Sequence, residues 1–493
     1  DANITGADNT AVGRNALGAS TASNNTALGT NAGGAITSGG SSTAIGAGAL
    51  DALTTVGSMT AVGASALGAN TSGYGSTAVG AACLDANTSG NNNTALGQNA
   101  LGANTTASDN VAVGTAAGDA ITTGGQNVAI GSGALGALTT TSGNIAIGYN
   151  ALDAGVDGVQ NCVAIGSAAL GALTASGSGT TPNIAIGYNA GTAMTTGVNN
   201  TIMGSWAMSS VVTGNSNVAI GHASMLSLTS GGTNTAVGQN SGNAITTGSN
   251  NTFIGATSGD AVTTGTQNTF VGSAAGTGHT TASNNTFVGF VAGGAVTTGA
   301  SNTFIGALAG DAVTTGHTSV LIGQNAGGAM TTASENVIIG NNAGAALTTG
   351  GQNILIGDNA GAAGAITGIR NVAVGDNALY SVVAGGGNIA IGYASGNVVS
   401  SGDNNVFVGT SSGQANTTAS GNVGVGTSAL AANTTGANNV ALGIRTLDVN
   451  TTGGSNTALG ADALGANTTA NNNTAVGQSA LLACTTGTPN TAV

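Results

Sequence analysis

Residues 93–114 read NTALGQNALGANTTASDNVAVG and span one full period of the chain. Two short segments, NTALG and NVAVG, close on Gly97 and Gly114, 17 residues apart. Working outward, the same closing glycine recurs from Gly13 to Gly477 as 28 anchors, and 23 of the 27 intervals are 17 residues. Departures from that step place small insertions near residues 156–159, 176–181 and 364. Residues 1–493 therefore read as a single continuous repeat array. A period of 17 is too short for helical repeats, which need about 33 residues or more. The β-branched runs, bounded by Gly, Asn and Ser, are strand signals. The spacing predicts an all-β chain, a parallel β-solenoid of about 28 coils with one strand per repeat.

The slots around each anchor carry the reasoning further. Asn stands four residues before the anchor in 23 of 28 repeats. Stacked coils would align these amides, so Asn93, Asn110, Asn127, Asn144, Asn217, Asn234, Asn251 and Asn268 are expected to form a hydrogen-bonded ladder. Four residues after the anchor the chain has Gly in 13 repeats and Leu or Met in the other 15. With Gly there, an aliphatic usually stands three residues later, as in Ile36, Ile121 and Val262; with Leu, Asn often does, as in Asn70, Asn104 and Asn433. The two slots thus share one interior volume, which close packing neither leaves empty nor fills twice. The strand has two apolar faces. One carries Val or Ile before the anchor; the other carries mainly Ala, replaced at Phe253, Phe270, Phe287 and Phe304. A sheet with two apolar faces is normally covered on both. We expect the phenylalanines to form an exposed stripe that packs against partner copies in a homotrimer.

The chain has no lysine, three arginines and a net charge of −13. Such a chain cannot neutralise nucleic-acid phosphates. No apolar run approaches the ~20 residues of a transmembrane helix, and glycine does not fall at every third position as collagen requires. Charged residues make up 4% and hydrophobic ones 41%, which is not a disordered composition.

Residues 93–102, 422–436 and 456–465 carry the fullest copies of the motif Asn-Thr-Ala-Val-Gly-x-x-Ala-Leu-x-x-Asn-Thr-Thr-Gly. This motif resembles the trimeric autotransporter adhesin head, a left-handed parallel β-roll, and the repeat region of phage-like tail-fibre proteins. The resemblance spans the whole chain. It implies an extracellular, trimeric, fibrous shaft or adhesive stalk on a virion or cell surface, and a receptor contacted through domains outside this chain. It transfers no catalytic residue. The chain opens and closes inside a repeat: residues 2–9, ANITGADN, match 432–439, ANTTGANN. It therefore reads as a segment of a longer protein.

Groups with chemical potential are scattered. Cys83, Cys162 and Cys484 occupy three different slots and read as small buried hydrophobes. His222, His279 and His317 lie in different coils and read as isolated surface side chains. Asp51, Asp85, Asp119, Asp153, Asp260, Asp311 and Asp448 recur five residues after the anchor and read as a solvated acidic edge, without the calcium-binding nonapeptide. Residues 131–136 match GxGxxG only because two repeat slots hold glycine. We therefore expect no enzyme, no cofactor and no metal. Paired threonines such as Thr105-Thr106 and Thr263-Thr264 follow the interior slots. They read as turn residues bonding local backbone, or alternatively as a hydroxyl array for ice binding. A polymerised extracellular filament is a further alternative to the shaft.

Overall fold

Each repeat folds as a three-residue strand followed by a chain of tight turns that returns the backbone one level along the stack. The computed structural model describes residues 5–155, 158–174 and 182–493. The insertion at 176–181 lies outside the described residues, as does part of that at 156–159. Among the described residues there are 29 strands, all parallel, and no helix. The chain divides into two compact units, Asp1–Ser249 and Asn250–Val493. The first holds β1 (Thr10–Val12) to β14 (Thr235–Val237); the second holds β15 (Thr252–Ile254) to β29 (Thr491–Ala492).

Within each unit a strand pairs with the next strand in sequence at equivalent slots. Thr94, Ala95 and Leu96 oppose Val111, Ala112 and Val113 in the first unit. Thr269, Phe270 and Val271 oppose Thr286, Phe287 and Val288 in the second. The architecture is a parallel β-solenoid with a 17-residue coil.

The turns explain the motif. In the coil that starts at Gly97, Asn99, Leu101 and Asp109 take φ values of 56°, 53° and 62°. Asn and Asp tolerate this left-handed region better than other side chains. The anchor is more demanding. Gly97 has φ 142°, a region essentially reserved for glycine, and a Cβ there would run into the carbonyl of Gly114 in the next coil. Glycine recurs every 17 residues because two stacked backbones meet at that point.

The one-residue insertion at Gly364 is absorbed in a turn with φ 89°. Beyond it Ile366 regains the stack by bridging in parallel to Leu347.

Candidate functional site

Strand residues alternate between the two faces, and the structure fixes which face is inside. The central residue of the strand points into its own coil, so Ala95, Ala112 and Ala129 are buried. Phe253, Phe270, Phe287 and Phe304 are buried completely in the same way. Their rings stack along the interior, with centroids 5.4, 4.7 and 4.9 Å apart between successive pairs. The expected interface stripe is therefore corrected: the phenylalanines are a core, and the residues on either side of them face outward. The glycine four residues after the anchor gives the reason. A Cβ on Gly276 would lie 2.6 Å from the Phe270 ring, and one on Gly259 would lie 2.7 Å from the Phe253 ring. The strand centre is a third contributor to the interior volume that the two turn slots share. Sequence reading traced the trade between those two slots but not the third. The signal was present, because Phe253, Phe270, Phe287, Phe304 and Phe407 are each followed six residues later by glycine.

The asparagine slot is buried and fully engaged at most positions. The backbone N–H of Asn110 donates to Asn93 Oδ1 at 3.0 Å, while Asn110 Nδ2 donates to Gly124 O at 3.1 Å and to Asn93 Oδ1 at 3.3 Å. Asn127 repeats this on Asn110, and Asn144 N–H continues it on Asn127 Oδ1. Asn234 bonds Asn217 in the first unit, and Asn268 bonds Asn251 in the second. At most positions the amide thus satisfies a backbone N–H and a carbonyl that the coil interior hides from water. Where Asn is replaced, another acceptor stands in: Met59 N–H donates to Ser42 Oγ, and Asn93 N–H to Ser76 Oγ.

The reactive side chains do not converge. Among the described residues no group of three or more His, Cys, Asp or Glu comes together to hold a metal. None of the three cysteines forms a disulfide among the described residues. Burial pushes the Cys83 thiol up to about 12, so it stays protonated and unreactive. His222 and His317 are exposed, but His279 is not, which corrects its reading as a surface residue. It occupies an interior slot, edge-on to Phe270 at 5.1 Å and to Phe287 at 6.1 Å. Its Nε2–H donates to Ala282 O at 2.8 Å, and its Nδ1 has no partner. Burial lowers the imidazole pKa below its ordinary 6.5. The aspartate column is half-buried rather than fully solvated, apart from exposed Asp51. Burial raises the carboxyls of Asp119, Asp153, Asp260, Asp311 and Asp448 above their ordinary value, opposed by backbone N–H donors.

The threonine pairs bond across coils instead of locally. Thr105 Oγ1 donates to Thr122 O, Thr122 Oγ1 to Thr139 O, and Thr297 Oγ1 to Thr314 O, at 3.0–3.2 Å. The first threonine of each pair is thereby a side-chain rung between coils, and the second, such as Thr106 or Thr298, is exposed. Arg445 and Asp462 form a bidentate surface pair at 2.8 and 3.0 Å, also one coil apart. The outward strand residues, Thr or Val at the first position and Val, Ile or Leu at the third, leave columns of half-exposed aliphatic and hydroxyl groups in each unit; Leu96 and Ile254 are examples. No helix of the described residues is long and apolar enough to cross a membrane. No protein-family model matches this sequence, and no curated protein is similar to it.

Proposed function

We propose that this structural repeat protein is the shaft or adhesive stalk of an extracellular fibre, a viral tail fibre or a cell-surface adhesin. Its task is to hold a terminal domain away from a surface. The coil-to-coil ladder carries this reading. Most coils engage their neighbours through backbone bonds, an asparagine amide and a threonine hydroxyl, around an interior filled with side chains. Such an element extends by repetition and resists bending without needing a ligand.

Self-association belongs to the proposal. The outward columns of Thr, Val and Ile form an uncharged sheet face, and such faces are normally covered. A homotrimer, or a lateral filament, would bury these columns and leave the phenylalanines inside their own coils. The ice-binding alternative draws no support from the threonine pairs, whose first hydroxyls are committed to the next coil.

Immunogold labelling of the source particles or cells with an antibody to this chain tests the reading. Gold distributed along projecting fibres is the expected result. Label confined to the cell interior would overturn it.

A further inference from the structure

The chain contains a single tryptophan, and it is exposed. Trp206 occupies a turn slot otherwise held mostly by Asn, Ala or Ser, with φ 63°. A bulky side chain at positive φ is strained, and here burial does not repay the strain, because Trp206 keeps 42% of its surface exposed. Its indole stands edge-on to the Tyr188 ring, 5.5 Å between centroids. Tyr188 and Tyr149 are themselves more than half exposed.

These aromatics lie on one backbone column of the first unit. Ala168 N–H bonds Tyr149 O, Asn189 N–H bonds Ser167 O, Trp206 N–H bonds Tyr188 O, and Asn240 N–H bonds His222 O. Tyr149 and Tyr188 are therefore two coils apart, ~10 Å at the spacing of paired strands. Half-buried Asn150 and Asn189 and exposed His222 flank the rings. No Asp, Glu, Lys or Arg occupies the column from Tyr149 to Gln239.

We propose that Tyr149, Tyr188 and Trp206 form a platform for a neutral, extended polysaccharide. Sugar rings present a C–H face that packs on aromatic rings and a rim of hydroxyls that needs hydrogen-bond partners. The platform offers both, since Tyr and Trp combine an apolar body with a polar tip, and the amides and imidazole add donors and acceptors. Rings separated by two coils suit a chain whose disaccharide repeat has nearly that length. The absence of carboxylates, lysine and arginine from the column selects neutral sugars over uronic acids or phosphates. The inference is independent of the shaft reading, because a shaft without this platform and a platform on another kind of solenoid are both coherent.

Trp206 supplies its own reporter. Cellohexaose and chitohexaose are titrated into the full chain while its fluorescence is followed, with calorimetry in parallel. Saturable binding by at least one probe is expected. Tyr188→Ala and Tyr188→Leu should each weaken it by about tenfold, the second variant keeping side-chain bulk without the ring. Tyr393→Ala, which removes an exposed tyrosine from the second unit, should leave binding unchanged. Failure of both probes to bind would overturn the proposal, as would unaltered binding by the Tyr188 variants when their melting curves match the parent.

Discussion

The coils around Ala95 and those around Phe287 have the same backbone and opposite interiors. In the first, a small strand residue, Ala95, meets a large turn residue, Leu101, with buried Asn104 beyond. In the second, a large strand residue, Phe287, meets Gly293, with buried Val296 beyond. Strand register and anchor geometry do not change between them. The difference teaches that the fold specifies a volume per coil and leaves open which wall supplies it. The two solutions also cost similar amounts. Leu101 sits at φ 53°, a left-handed conformation that carries ~1–2 kcal/mol of steric strain. Gly293 adopts its φ of 60° freely but loses about 0.5–1 kcal/mol more chain entropy on folding than a residue with a side chain.

The largest effects should be those the two regions share. Gly97→Val and Gly289→Val each place a Cβ against the next anchor at φ 142°. Each should destabilise its unit by more than about 4 kcal/mol in chemical denaturation. Tolerance in one region alone would show that the backbones are not equivalent.

The next test exchanges the interiors. Phe270→Ala should cost about 3–5 kcal/mol through the cavity it leaves. Gly276→Leu alone should also destabilise, because its side chain meets the Phe270 ring. The double variant converts this coil to the Ala/Leu pattern and should recover most of the loss. Additive losses in the double variant would refute a shared volume.

These tests turn on what the sequence could and could not convey. The coil length, the strand positions and the asparagine column were legible because each follows from period and slot identity. The direction of the strand was not. Thr94, Ala95 and Leu96 give no cue on their own, since Ala fits an interior as well as a surface and the flanking residues are apolar too. Direction is set by what lies opposite, and Gly276 opposite Phe270 was the readable trace of it. The single residue His279 escaped for a related reason: the slot, not the residue type, determines burial. Of the groups weighed as chemistry, the aspartate column differs from its solvated expectation only in depth.

A smaller effect is expected from the ladder. Asn110→Ala removes the acceptor of Asn127 N–H and the donor to Gly124 O. The cost should be about 1–3 kcal/mol, and about the same for Asn285→Ala among the phenylalanine coils, as measured by denaturation.

The smallest effect is a pH dependence that differs between regions. His279 has a folded pKa below 6.5. Its contribution is therefore complete above pH 6.5 and is lost as pH falls from 6.5 toward the folded value. The raised aspartates act oppositely. Their contribution grows as pH falls through their folded pKa values toward 3.8, because the folded state then binds the extra protons. Hydrogen exchange should show protection lost around Phe270 and Phe287 between about pH 7.5 and pH 5.5, with no such loss in His279→Val or around Ala95. Equal loss in the variant would place the sensitivity elsewhere.

The direction of the strand is the claim on which the rest depends, and a cryo-EM map of the protein at side-chain resolution tests it directly. The account predicts one chain around each coil, with the rings of Phe253, Phe270, Phe287 and Phe304 stacked inside it and the flanking Thr, Val and Ile turned outward. Rings projecting from the coil onto a neighbouring chain would contradict it.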